Sequence, residues 1–398
     1  MQIIDDIRRV PAPELEQRLA NFRKLMDVQH PGWEMFATNY KITMYYFTGT
    51  IEDGVLIIRP EDAILWVRRS FERAQNESLF GDIRPMHSLR EAAAAYAKQP
   101  EKLYIEPKHI TLDWLNFISK YFSFGETVSV DGIMQELRAV KSNYEIEQMR
   151  ISGKIHEEAL DIIAPKLLRA GISETELGLA LYGAMLERGS HGICRFNQSI
   201  GDESLGICAF GKSGLVKSGF DGPGGCNGTC IAVQNIGRAA RKLRENQLVY
   251  LDIPCGFDGY HSDKTSVYYF GDLKKDPQGE QILAAHNYCL EVEQVALSLM
   301  QPGLPIEDVY LQTLAKLGNP YGEAFMGGGK FLGHSIGLVI DEAPAFAKSF
   351  KQPLVENMTF ALEPKVALPG IGMVGTENTY VITSSGPVSL TGKSHSLK

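Results

Sequence analysis

"LDIPCGFDGYHSDKTSVYYF", Leu251–Phe270, is the stretch on which the reading of this chain turns. Residues 248–254 and 260–270 are rich in Val, Leu, Ile and Tyr, and "CGFDG" between them carries an Asp-Gly pair, the chemistry of a tight reversal. The spacing predicts a β-hairpin with Asp252 and Asp263 at mirror positions, the midpoint falling between Phe257 and Asp258. Two carboxylates opposed across a ladder, with Cβ atoms roughly 5 Å apart, repel unless a proton or a cation is shared between them. Asp258 is read as a turn residue, which an Asp-Gly reversal requires.

A second stretch repeats the device. "NMTFALEPKVALPGIGMVGTENTYVIT", Asn357–Thr383, places Glu363 and Glu377 opposite each other about Gly370. Pairing with Lys365 or Lys264 offsets one of these four acids but not all of them. "KFLGHSIGLVIDEAP", Lys330–Pro344, adds His334 after the Gly-rich "FMGGG". One imidazole with four carboxylates is a hard donor set, suited to one or two divalent ions such as Mn, Co, Fe or Zn. Two ions bridged by carboxylates resolve the repulsion and activate a water between them. Taken singly, a strand Asp is a cap and a lone His a hydrogen-bonded core residue. Their conjunction is what points to metal.

Around these hairpins the chain shows two grammars. The first third alternates an amphipathic helix at Ala12–Met26 with short apolar runs, "GVLIIRP", "AILWVRR" and "KLYIE", and a helical Asp113–Phe122, which predicts a sheet covered by helices. Near residues 135–142 the pattern changes. Ser142 with Glu145, and Ser173 with Glu176, form capping boxes that open two helices separated by Gly171. Helix, Gly, helix returns at Gln278–Met300, Gly303 and Ile306–Leu317, an offset of 132 between the two glycines. An internal duplication follows, each helix pair leading into Gly-rich, strand-like sequence. The expected domains are 1–138 and 139–398.

With 398 residues, 44% apolar, 22% charged and a net charge of −8, the chain reads as a soluble globular protein of two or more domains. The acidic balance argues against nucleic acid as a partner, the basic run "GRAARKLRE" (Gly237–Glu245) reading as a solvated face. The N-terminal "MQIIDDIRRVPAPELEQRL" does not read as a signal peptide, and no apolar run reaches the length expected of a membrane span. Six irregularly spaced cysteines suit a reducing cytoplasm, and a clip between Cys226 and Cys230 in "CNGTC" is the weaker alternative to two free thiols.

The order Asp252, Asp263, His334, Glu363, Glu377, with "GYHSD", "GHSIGL" and "LEP" around it, resembles the pita-bread metallohydrolases: creatinase, prolidase, aminopeptidase P and methionine aminopeptidase. "ITMYYFTGT" with "GVLIIRP" resembles the start of the creatinase-type N-terminal domain, and "LRAVKSNYEIEQMR" its junction with the catalytic domain. The resemblance covers nearly the whole chain. It implies an α/β (α+β) architecture, a creatinase-like N-terminal α/β domain followed by a pita-bread domain with an internal pseudo-two-fold. It further implies two divalent metal ions on those five ligands, Glu363 as both ligand and proton acceptor, and a homodimer.

Departures from the pattern bear on the reaction. Where proline-directed members carry a histidine in the loop before the first ligand hairpin, this chain offers Asp221. Where they carry a second histidine seven residues after the ligand His, it has Asp341, and for their Arg it has Ser266. Asp341 is therefore a candidate general acid or an anchor for a cationic substrate group. Asp221 and His261 are candidate substrate contacts, though His261 and His191 also read as structural. "GPGG" (Gly222–Gly225) is either a turn or a place where backbone approaches a ligand. The expected activity is a metal-dependent hydrolysis of peptide-like bonds, Xaa-Pro aminopeptidase or dipeptidase in type, on a short peptide. The alternatives are a C–N hydrolase or lyase acting on a small non-peptide molecule, and a non-catalytic binding protein.

Overall fold

Local chemistry accounts for most of the element boundaries. The computed structural model describes residues 8–196, 202–219 and 222–397. The chain divides into two compact units, Met1–Arg138 and Ala139–Lys398. In the first, the helix Ala12–Gln29 buries Leu15, Leu19, Phe22 and Met26, an i, i+4, i+7 stripe. A six-stranded sheet runs in the order Ile83–Pro85, Ala63–Val67, Gly54–Ile58, Met35–Thr38, Lys102–Ile105, Glu126–Ser129. Its middle is antiparallel and its flanks parallel. The continuous apolar runs GVLII and AILWV are the strands buried on both faces.

In the second unit both capping boxes form. Ser142 accepts from Glu145 N while Glu145 accepts from Ser142 N, and Ser173 and Glu176 do the same. The helix Asn143–Glu157 passes into a π-helical turn, Glu158–Ile163, and then Ala164–Leu167. Gly171 (φ +82°) and Gly303 (φ +94°) adopt the left-handed conformation between the helices of each pair, Glu174–Leu186 closing the first, Gly279–Leu299 and Ile306–Leu317 forming the second.

The strand Gln247–Phe257 lies between the two helix pairs. Val249, Leu251, Ile253 and Cys255 pack into the cluster that holds Leu177, Leu181 and Met185, whereas Leu248 and Tyr250 pack with Ile282, Ala285 and Val292. The two-residue period thus gives each face of the strand its own core, and Asp252 is the next residue on the Leu248–Tyr250 face. The strands of this unit form a three-stranded sheet, Tyr260–Phe270, Gln247–Phe257, Ile207–Phe210, a five-stranded one, Glu342–Ala347, Phe331–Ser335, Thr359–Leu362, Asn378–Thr383, Gly386–Ser389, and two ribbons, Lys365–Leu368 with Gly372–Gly375 and Cys194–Arg195 with Asp202–Glu203. Among the described residues, no helix is long and apolar enough to cross a membrane.

Candidate functional site

The first hairpin reverses at Asp258 and Gly259, with φ of +46° and +89°. A two-residue loop of this kind needs left-handed backbone at both positions, which Asp-Gly adopts more readily than Phe-Asp. The ladder therefore pairs Phe257 with Tyr260, Asp252 with Thr265 and Pro254 with Asp263. The mirror placement of Asp252 and Asp263 is corrected by this register: the two acids share a face but stand diagonally, and Thr265 is what faces Asp252. The second hairpin keeps the expected centre. Leu362 pairs with Asn378 and Lys365 with Gly375, so Glu363 and Glu377 stay opposed about Gly370 (φ +81°).

The hairpins meet where Thr265 and Glu377 exchange backbone hydrogen bonds of 3.2 and 3.4 Å. The Thr265 hydroxyl lies 2.9 Å from both Asp252 Oδ1 and Glu377 Oε2. His334 sits on the strand Phe331–Ser335, opposite Ala361. Its Nδ1 donates to the Ser335 carbonyl at 3.1 Å, which leaves Nε2 facing the acids, 2.9 Å from Asp341 Oδ1 and 3.6 Å from Glu363 Oε1. One ligand atom each from Asp263, His334 and Glu377 lies within 4.8 Å of the others.

A cation already stands among these acids. Lys365 Nζ is 2.7 Å from Glu377 Oε2, 2.8 Å from Glu363 Oε2 and 3.2 Å from Asp252 Oδ2, and the side chain is 1% exposed. It engages three of the four carboxylates, where one had been expected. Lys264 does not join it. That side chain points to the other face of its strand, toward Asp161 and Asn378.

The field of the cluster is uneven. Burial raises the Asp252 carboxyl, but Lys365 and the hydroxyls of Tyr250 (2.5 Å) and Thr265 outweigh it, and the group ends below its usual range. Burial and the Asp252 charge push Asp263 up to about 7. Burial and Asp263 hold Glu377 well above the carboxylate range, and burial raises Glu363 against the pull of Lys365 and His334. Burial lowers the His334 imidazole, yet Asp341 and Glu363 hold it well above its ordinary value. An excess of negative charge in a desolvated place is what a divalent ion relieves.

All five expected ligands, Asp341 and Lys365 line one cleft enclosing about 580 Å³, part of it open to solvent. Phe196, Ile207, Pro254 and Ile340 supply apolar lining. Gly224 lines it too: a Cβ there would lie 2.2 Å from the Tyr250 hydroxyl oxygen and 3.2 Å from Asp252 Oδ2, so this glycine permits a close backbone approach.

His261 is placed otherwise than as a substrate contact. It is fully buried, its Nδ1 bonds the Gly337 carbonyl, its Nε2 accepts from Arg195 N, and it does not line the cleft. Asp221 lies outside the described residues. Cys226 is buried and Cys230 exposed, both as free thiols.

Four cleft or cluster residues escaped the sequence reading in these roles: Lys365 as a bridge, Tyr250, Thr265 and Glu203. The first three stand two residues from a ligand (Glu363, Asp252, Asp263), so strand alternation puts them on the ligand face. Glu203, whose carboxyl burial pushes up to about 7 and which accepts from Asn235 Nδ2 at 2.9 Å, carries no such signal.

Comparison with known proteins agrees with this architecture. Residues 147–384 match the model of metallopeptidase family M24, and residues 18–140 that of the creatinase/prolidase N-terminal domain. An uncharacterised peptidase of Staphylococcus aureus is 24% identical over 358 residues, 88% of this chain and 92% of that one. The prolidase from Pyrococcus horikoshii superposes with a TM-score of 0.76 at 22% identity, covering 95% of this chain and 99% of that one. A Xaa-Pro dipeptidase from Bacillus anthracis gives 0.77 at 22%, covering 96% and 99%.

Proposed function

We propose a metal-dependent hydrolysis of peptide-like bonds, Xaa-Pro aminopeptidase or dipeptidase in type, for this chain, which belongs to metallopeptidase family M24. The observation that carries the reading is the convergence of Asp263, His334 and Glu377 on the wall of a cleft that also has apolar lining. The family implies a divalent metal, and these residues fit one: two carboxylates and an imidazole whose Nδ1 is fixed by a carbonyl are donors for Mn, Co, Fe or Zn. Such an ion supplies Lewis acidity and makes water a stronger acid.

The chain's own groups divide the remaining work. Glu363 has Oε2 tied to Lys365, which leaves Oε1, 3.6 Å from His334 Nε2, to take a proton from the attacking water. Asp341, beside His334, holds the substrate's ammonium group or returns a proton to the leaving nitrogen. The apolar residues opposite accept a ring or an alkyl side chain. The division at Arg138 and Ala139 is taken as the domain boundary. The working form is taken as a cytoplasmic homodimer, and six free thiols agree with a reducing compartment.

Asp341 in place of a second imidazole favours one further reading, a small non-peptide C–N substrate. A panel of Xaa-Pro dipeptides, peptides with an N-terminal Xaa-Pro bond and N-methylated amides, run with Mn²⁺ or Co²⁺ and again with chelator, decides between them. Chelator-sensitive release of proline or of the first residue supports the peptidase. Turnover of the amides alone moves the assignment to the small substrate, and full activity in chelator refutes metal dependence.

A further inference from the structure

We propose that Lys365 is a resident cation standing where a second metal ion would otherwise be needed, so that the site takes one divalent ion, on Asp263, His334 and Glu377. The inference rests on the metal-binding reading of this cleft and departs from the expectation of two ions.

Three observations carry it. The ammonium has three hydrogens and three carboxylate partners, Asp252, Glu363 and Glu377, at 3.2, 2.8 and 2.7 Å, which satisfies it. Asp252 is also engaged: Oδ2 accepts from both Tyr250 and Lys365, and Oδ1 shares the single Thr265 hydroxyl hydrogen with Glu377 Oε2, so at least two of its roughly four acceptor positions are filled by the protein. Asp263, by contrast, takes one backbone N–H on Oδ1, from Lys264 at 3.0 Å, and remains available with His334, while Glu377, whose contacts to Lys365 and Thr265 both fall on Oε2, offers Oε1 as the third donor.

The placement is also built into the backbone. Lys365 opens the strand Lys365–Leu368 two residues beyond Glu363, on the same face, opposite Gly375. A Cβ on Gly375 (φ +142°) would lie 2.4 Å from the Pro364 carbonyl oxygen and 2.7 Å from Lys365 Cα, so the glycine lets its backbone approach that of Lys365 closely. A second ion could enter only by displacing the ammonium and stranding a buried charge without partners, which is strongly unfavourable. The consequence for the reaction is a fixed single charge holding Asp252 and Glu363 in position, in place of an exchangeable ion.

The test is metal counting with Mn²⁺ alone. The full chain is stripped with chelator, reloaded, freed of excess ion, and measured by elemental analysis and electron paramagnetic resonance. One Mn per chain, with the six-line spectrum of an isolated ion, is expected for the wild type. Lys365→Gly, which opens the space, is expected to bind two, with an exchange-coupled spectrum. Lys365→Met, which fills the space without charge, is expected to stay at one. Two coupled ions in the wild type overturn the inference and leave the proposed function standing. No bound Mn in the wild type overturns the metal reading, and this inference with it. A folded Lys365→Gly chain that holds one ion also refutes the proposal. If that variant does not fold, the wild-type count and spectrum decide.

Discussion

Replacing Lys365 by Met keeps the length of the stem and deletes the charge. The ammonium contacts three carboxylates at 2.7 to 3.2 Å with 1% of the side chain exposed. At an effective dielectric of about 20, each contact is worth roughly 5 kcal/mol before desolvation is counted. Most of that sum is consumed in taking these groups out of water, and breaking a buried pair of this kind costs about 3–5 kcal/mol net. The expected loss for Lys365→Met is therefore about 3–5 kcal/mol, measured in chelator at neutral pH. At about 2 °C per kcal/mol for a unit of this size, the midpoint falls by roughly 6–10 °C. Far-UV circular dichroism is the signal to follow, because all three tryptophans, Trp33, Trp66 and Trp114, lie in the first unit and would report on the wrong half. A variant whose dichroism transition overlays the wild type, in heat and in urea, would refute the claim that the ammonium holds the acids together.

Two further predictions concern stability away from the cleft. Burial pushes the Glu106 carboxyl up to about 7, against the pull of Arg138 and the hydroxyls of Thr43 and Thr38. The folded state thus keeps a proton that the unfolded chain has lost above the ordinary glutamate value. Stability of the first unit falls as pH rises between about 4.5 and 7, by about 3 kcal/mol in total. Glu106→Gln should flatten that slope, and tryptophan-monitored urea midpoints across pH 5 to 8 would show the same slope in both proteins if the reasoning fails. In the helix pair, Gly153 and Gly183 respond to Ala with opposite sign. A Cβ on Gly153 would meet the Leu390 carbonyl oxygen at 2.1 Å, so overpacking should cost about 1–3 kcal/mol, whereas Gly183 has nothing within 4 Å and should gain up to about 1 kcal/mol. Thermal melts that move both variants the same way would count against this packing.

Much of the site was legible because strand chemistry is local. The five expected ligands meet in one cleft, and Gly370 centres the second hairpin as its spacing predicts. The first hairpin turns one residue later than its spacing predicts, and a shift of one at the centre moves the cross-strand partner of Asp252 by two, from Asp263 to Thr265. Alternation kept both aspartates on the same face, which is why the acid cluster survived the shift. The same alternation places Lys365 beside Glu363. It does not say whether a lysine there turns toward solvent or toward acids elsewhere in the chain.

The sequence by itself determined the helix starts at Ser142 and Ser173, the glycine breaks at Gly171 and Gly303, and which acids the two hairpins carry. Each depends on caps, turn dihedrals and two-residue alternation, all of which act within a few positions. Only the tertiary structure decided which cation those acids meet and what becomes of His261. Lys365 and Asp252 are 113 positions apart, and His261 and the Gly337 carbonyl are 76 apart. Charge balance and hydrogen-bond satisfaction in a buried site are sums over whatever the fold brings near, so no single stretch of the chain contains them.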